Sequence, residues 1–352
     1  MLGTAAHATD RMPRYDHIIV IVAENRGYQQ IIGNANAPKL NRLATAYGLS
    51  TEFFAEVHPS EGNYVAMLGG DTYGIHDDDA WYCKAGVVDR YCPSALVLKP
   101  YVDHTVRMRS LMDQLAERRL SWKGYFESIP APGAKAVYFP DGQSPSAGLP
   151  NFLYASKHNG FINFQTVQDD PALARKIVGF DTLIDDLASD RFPDYAHIAP
   201  NQCNDMHGLG EANIPADCSY RREQALIARG DAVIGDLVDK IQVSPIWSGR
   251  GNVAIVVTWD EDDGEDKGGT APRGPQGCCG FDRKSAANFG GGHIPTLVIT
   301  NHGPRNLKDN TPYNHYSLLR TTEEAFGIDE YLGHANDVGG GVRSMIPLFQ
   351  VR

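Results

Sequence analysis

The sequence predicts an α/β protein built on a mostly parallel sheet, and three observations carry that reading. Two runs, 17–23 and 252–259, are continuously apolar and rich in β-branched residues, the mark of strands buried on both faces. Each runs straight into acids or amides, Glu24-Asn25 in the first case and Asp260-Glu261 in the second. Between them the early chain alternates strand, helix, strand and helix, the order of a βαβ layout.

Taken in order, 17–23 is the first strand. Residues 38–48 read as a helix, with Pro38 near its start and Gly48 at its end. Residues 50–57 read as a second strand that delivers the chain to the turn His58-Pro59-Ser60-Glu61-Gly62-Asn63-Tyr64, where a helix opens. The run His76-Asp77-Asp78-Asp79 lacks a second half at ligand spacing and reads as a solvated loop. An amphipathic helix is expected over 107–119, with Met108, Leu111, Met112 and Leu115 on one face. A strand follows at 122–126. Residues 130–151, rich in Pro, Gly and Ser, read as a long surface insertion. A helix at 181–187 and a strand at 194–199 come next, then the longest helix, 220–241. The last elements are the strand 252–259, a strand over 293–300, and a helix opened by 312–317 and running to about 326.

The bulk numbers suit a folded enzyme. The chain has 352 residues, 42% of them hydrophobic and 21% charged, enough for one large core with insertions. A net charge of −11 argues against a nucleic-acid partner, which needs a basic stripe. It leaves room for a small phosphorylated substrate, since a bound cation inverts the local field. No apolar run approaches the roughly 18 residues that span a bilayer. Residues 1–14 read as a processed or expression-derived tail, and 15–352 as one domain with loop insertions near 74–104 and 130–165. Of the six cysteines, Cys83 and Cys92 flank one short loop, Cys203 and Cys218 flank another, and Cys278 and Cys279 are adjacent. That pattern favours disulfides and a secreted or periplasmic location over a thiolate zinc site, because no pair has knuckle spacing.

The chemistry centres on the turn at Ser60. A serine hydroxyl at a helix start can act as a nucleophile, and the unpaired N–H groups there suit an anionic phosphate. The competing role is a plain helix cap. Asn63, one turn on, is a candidate donor to the same anion. Glu24, Asn25, Asp260 and Glu261, at the ends of two buried strands, are candidates to surround one cation. The acidic run 260–266 fails as an EF-hand loop, because acids are missing from its first and last positions. Asp205 and His207 on one loop, His293, and His315 at the start of the last helix are further candidates for a metal or a phosphate.

Together these stretches resemble a known family. Glu24-Asn25, His58-Pro59-Ser60-x-x-Asn63-Tyr64, Asn204-Asp205-x-His207, Asp260-Glu261 and His315-Tyr316-Ser317-Leu318-Leu319-Arg320-Thr321 look like the bacterial phosphoesterases, a group of acid phosphatases, phosphatidylinositol-phosphate phosphatases and phospholipases C in the alkaline phosphatase superfamily. The resemblance covers nearly the whole chain. It implies a three-layer α/β/α sandwich with metal at the strand ends and Ser60 as the nucleophile that carries a phosphoryl group. It also implies Glu24, Asn25, Asp260 and Glu261 as metal ligands, with Ser60 beside them, and Asn63 as a donor to phosphate. Asp205, His207 and His315 match positions that hold a second metal or protonate the leaving group. Two departures stand out: Gly62 replaces the usual proline, and Arg26 stands where many relatives have His or Lys.

The expectation is therefore a phosphomonoesterase using one or two divalent ions (calcium, magnesium, manganese or zinc) on a small phosphorylated substrate or phospholipid head group. A phosphodiesterase or phospholipase C on the same site is the first alternative. A phosphotransferase is another, and a non-catalytic, calcium-stabilised binding module is the alternative from a different class.

Overall fold

A computed structural model describes residues 11–78, 103–140, 152–189, 191–210, 214–263 and 290–351. An eight-stranded sheet is the centre of the molecule. Its strands lie in the order Leu307–Asp309, Gly48–Ser50, Thr296–Thr300, Val253–Trp259, His17–Ala23, Tyr195–Ala199, Trp122–Phe126 and Ile177–Val178. Only Thr296–Thr300 runs against its neighbours; every other pairing in the sheet is parallel. The two apolar runs are adjacent central strands, and Ile18–Ala23 and all of Val253–Trp259 are buried. Burial on both faces is why neither run alternates polar and apolar residues.

Helices cover the sheet in two packing groups, giving an α/β/α sandwich. In one, Pro38–Ala46 lies against Glu223–Gln242. There the buried Asp231 accepts from the backbone N–H groups of Leu40 at 2.8 Å and Lys39 at 3.1 Å, satisfying donors that a helix start leaves open. In the other group, Glu61–Gly69 is packed against His315–Ala325 and the 3-10 turn Gly160–Asn163. Every residue of Glu61–Gly69 is buried, so its sequence shows no apolar stripe. It ends at Gly70, whose φ of 76° needs the freedom of glycine.

Several expected elements differ in detail. The strand expected over 50–57 is two short pieces, Gly48–Ser50 in the main sheet and Phe53–Phe54 in a separate pair with Tyr313–Asn314. The first piece runs beside the sheet edge and the second turns away to carry the chain to Ser60, so no single ladder serves both. The helix expected over 107–119 is only Leu111–Glu117, because the Ser110 hydroxyl and Asp113 form a reciprocal cap there. Met108 lies outside that helix and is 60% exposed. The expected strand 293–300 starts only at Thr296.

The run at 76–78 is not a plain solvated loop: Asp77 pairs with His104 at 3.2 Å and Asp78 with Lys157 at 2.9 Å. In the stretch read as an insertion, Tyr138–Phe139 pairs with Tyr154–Ala155. Cys203 and Cys218 form a disulfide. Cys83, Cys92, Cys278 and Cys279 lie outside the described residues. No helix among the described residues is long and apolar enough to cross a membrane.

Candidate active site

Three adjacent parallel strands deliver the site from their carboxyl ends, where open α/β sheets place ligands. His17–Ala23 leads into Glu24, Val253–Trp259 into Asp260 and Glu261, and Tyr195–Ala199 into the loop bearing Asp205 and His207. The strand ends are tied together: Asp260 N donates to Ala23 O at 3.0 Å, and Glu24 N to Asp205 O at 2.7 Å. Asn25 N donates to Asp260 Oδ1 at 3.1 Å. Two non-glycine residues here take left-handed backbone, Asn25 at φ 53° and Met206 at φ 82°. For methionine that conformation is uncommon and strained, and such strain gathers at functional sites.

Ser60 immediately precedes the helix Glu61–Gly69, yet its side chain makes no cap bond. The hydroxyl instead lies 3.1 Å from Glu24 Oε2 and 3.3 Å from Glu261 Oε1. That geometry removes the plain-cap role. The helix start is less open than expected, since Glu61 N donates to Asp78 Oδ1 at 3.3 Å. Gly62 fits because a Cβ would fall 2.7 Å from both Ile75 O and Val57 Cγ2.

The carboxylates Glu24, Asp205, Asp260 and Glu261 are all buried. Desolvation raises each pKa, to about 6 for Asp260 and about 8 for Glu261, and for Glu24 the charges of Asp260 and Asp205 raise it further. Asp260 Oδ2 has no hydrogen-bond partner among the described residues. Buried acids that repel one another and retain an unused acceptor oxygen are a donor set that fits a divalent cation.

His58 sits beside them, with Nδ1 2.5 Å from Glu261 Oε2 and Nε2 3.2 Å from Asp262 Oδ1. Burial opposes its charge, but hydrogen bonds to Asp262 and Glu261 outweigh that and push its pKa up to about 10.

In a second corner, Glu24, Asp205 and His207 were candidates from the sequence, but His158 was not legible there. His158 bridges two acids, with Nε2 3.3 Å from Glu24 Oε1 and Nδ1 3.4 Å from Asp205 Oδ2. Tyr64 donates to Glu24 Oε1 at 2.6 Å and stacks on His158. Glu24, His158 and His207 each offer one ligand atom, all within 4.8 Å of one another. Lys157 Nζ lies 3.3 Å from His207 Nε2. Burial lowers the pKa of His158 and His207, the latter to about 3. The members with some solvent contact are Asn25, His58, Lys157, His207 and Asp262, which mark the approach to the buried Ser60.

Three expected residues are placed differently. Asn63 spends its amide on the preceding loop: Nδ2 donates to Val57 O at 2.8 Å, and Oδ1 accepts from Glu56 N and Val57 N at 2.9 and 3.1 Å. It braces the approach to Ser60, with one amide N–H spent on Val57 O. His315 is fully buried with Nε2 3.0 Å from Trp259 O, behind the strand that carries Asp260. His293 uses Nε2 on Thr51 O at 2.9 Å and stacks on Tyr28. Arg26 is buried and bonds Asn25 O, with desolvation lowering its pKa against the pull of Asp263, Glu223, Asp205 and Glu24.

Comparison with known proteins agrees with this geometry. The profile of the phosphoesterase family matches residues 34–329. The chain belongs to the phosphoesterase family. Among curated proteins, this phosphoesterase is 27% identical over 327 residues to a phosphatidylinositol-3-phosphatase of Mycobacterium tuberculosis, covering 93% of the chain and 81% of that relative. It is 26% identical to a phosphate-repressible acid phosphatase of Penicillium chrysogenum and 24% identical to an acid phosphatase of Aspergillus fumigatus. Each of those matches covers 89% of the chain, but the chain spans only 60% and 55% of the fungal proteins.

Solved structures share the fold. An alkaline phosphatase superfamily protein of Vibrio parahaemolyticus superposes with a TM-score of 0.51 at 14% identity, covering 91% of this chain and 68% of the other. A lipoteichoic acid synthase of Listeria monocytogenes gives 0.53 at 12%, covering 96% and 76%. The family match and the phosphatase relatives place this phosphoesterase among the hydrolases of phosphoric ester bonds.

Proposed function

We propose that this phosphoesterase is a cation-dependent phosphatase that cleaves phosphomonoesters through a phosphoseryl intermediate on Ser60. The observation that carries the reading is the Ser60 hydroxyl lying 3.1 Å from Glu24 Oε2 and 3.3 Å from Glu261 Oε1, inside a group of mutually repelling buried acids. Glu24, Asn25, Asp260 and Glu261 would hold the cation, whether calcium, magnesium, manganese or zinc. A bound divalent ion lowers the pKa of a nearby hydroxyl and offsets charge on phosphoryl oxygens.

In the first half-reaction Ser60 Oγ attacks phosphorus and its proton passes to the adjacent carboxylate. The bond from phosphorus to the alcohol oxygen breaks, and that oxygen takes a proton. His58 is the donor we assign, because it borders the approach to Ser60 and the adjoining Glu261 and Asp262 raise its pKa; donation exchanges its Nε2 bond to Asp262 for one to the leaving oxygen. Water then attacks the phosphoserine, releasing inorganic phosphate and restoring Ser60.

The names of the relatives favour phosphate removal from a small phosphorylated compound or a phosphoinositide head group over diester cleavage. The Cys203–Cys218 disulfide supports action in an oxidising compartment outside the cytoplasm.

The test is phosphate release from a panel of monoesters and diesters, before and after EDTA, with each divalent cation restored in turn. Release from monoesters that disappears with EDTA and returns with a cation supports the reading. Preferred cleavage of diesters would replace it with a phosphodiesterase. Cation-dependent stability with no hydrolysis would replace it with a binding module.

A further inference from the structure

The corner formed by Glu24, His158 and His207 looks like a place for a second metal, but a lysine already occupies part of it. His207 Nδ1 lies 2.7 Å from Gly208 O. A carbonyl oxygen only accepts, so Nδ1 carries the imidazole proton and Nε2 holds the ring's single available lone pair. Lys157 Nζ lies 3.3 Å from that Nε2 and donates into it. The ammonium is fixed from its other side by Asp78 Oδ2 at 2.9 Å, and the lysine side chain is only 14% exposed. Lys157 directly precedes His158 on the 3-10 turn Ser156–His158, so the segment that brings the histidine also brings the charge.

We propose that Lys157 closes this corner to a second cation and makes the site mononuclear, its ammonium standing where a two-metal site would carry its second ion. The inference rests on the reading that the acids at the strand ends bind a cation at all. A metal on His207 would need the lone pair that Lys157 uses. It would also sit a few ångströms from a fixed positive charge in a poorly screened interior, where like charges repel strongly. Without His207, Glu24 and His158 remain, and Asp205 lies against the opposite ring nitrogen of His158, so no three ligand atoms converge there among the described residues. Glu24 is shared with the first cation, leaving that ion with Asn25, Asp260 and Glu261 as its own ligands.

The experiment is metal stoichiometry, read by elemental analysis after equilibrium dialysis against excess zinc or manganese chloride. The full chain is compared with Lys157→Met, Lys157→Arg and His207→Ala, each checked for folding by circular dichroism. The expected result is one ion per chain for the unaltered protein, for Lys157→Arg and for His207→Ala, and two for Lys157→Met. Two ions in the unaltered protein would overturn the proposal, as would a folded Lys157→Met variant that still binds one. Loss of the single ion in His207→Ala would also overturn it by placing that ion in the corner, so the proposal stays falsifiable if Lys157→Met does not fold. No ion in the unaltered protein would overturn this proposal and the functional reading together, and that outcome is distinct from all the others.

Discussion

Ala23 and Trp259 pair across two neighbouring parallel strands, and Asp260 N donates back to Ala23 O at 3.0 Å. Because the strands run in register to their last residues, Glu24 and Asp260 leave the sheet side by side, although they are far apart in the chain. Register therefore assembles the acid pair before any loop is considered, and the turn at Ser60 is set against it.

A divalent cation should stabilise the folded chain. The buried carboxylates repel one another without one, and a ligand that binds only the native state adds about 2.7 kcal/mol at 100 times its dissociation constant. Thermal unfolding with and without EDTA checks this. The expected outcome is a higher midpoint with cation, and a smaller increase in Asp260→Asn.

His58→Asn should separate substrates by their leaving groups. General acid catalysis is worth roughly 10²–10⁴-fold where the departing alkoxide needs a proton. The variant should lose kcat on alkyl phosphates and lose much less on p-nitrophenyl phosphate, whose leaving oxygen needs little help. A purely structural role would lower both equally. The comparison of the two rates is the check.

Both buried strands and their terminal acids were legible in the sequence, because two-sided burial writes a continuous apolar run that stops where the acids begin. Ser60 was legible as a turn, and its exclusion from capping needed coordinates. His158 and Lys157 were not legible. They sit on a 3-10 turn inside a stretch with no apolar period, and only the fold brings that stretch against Glu24. His293 and His315 stand beside a strand or helix start that reads like a ligand position, and Nε2 of each lies against a backbone carbonyl, while His315 Nδ1 is buried with no hydrogen-bond partner among the described residues. Asn63 lies at the spacing of a phosphate donor, but residues 56–57 curl back close enough to take both ends of its amide.

Gly62→Ala should disturb the nucleophile turn. The added methyl meets Ile75 O and Val57 Cγ2 at 2.7 Å, and overpacking of this kind costs about 1–3 kcal/mol. Because Gly62 is two residues from Ser60, the displacement should lower kcat as well as the unfolding midpoint. A denaturant titration alongside an activity assay measures both.

Glu323, away from the site, should impose a pH dependence on stability. Burial pushes its pKa to about 7, while Gln114 Nε2 and Leu332 N both donate to Oε1 at 2.9 Å and Oε2 has no hydrogen-bond partner among the described residues. A folded-state pKa above the unfolded one means that the native state binds the extra proton. Its contribution is then fully present below about pH 4.5 and is lost as pH rises through about 7. That loss is on the order of 3 kcal/mol. Glu323→Gln, which keeps the acceptor and supplies N–H donors, should flatten this part of the stability profile, as denaturant titrations across that range would record.

The most direct test of the account is to trap the phosphoryl group itself. The cation-loaded protein is mixed with a phosphomonoester, quenched in acid within the first turnovers, digested and sequenced by mass spectrometry. The account predicts phosphate on Ser60, absent after EDTA and absent in Ser60→Ala, with hydrolysis in that variant lower by about 10⁴-fold or more. Turnover that continues in Ser60→Ala, or phosphate found on a residue other than Ser60, would contradict it.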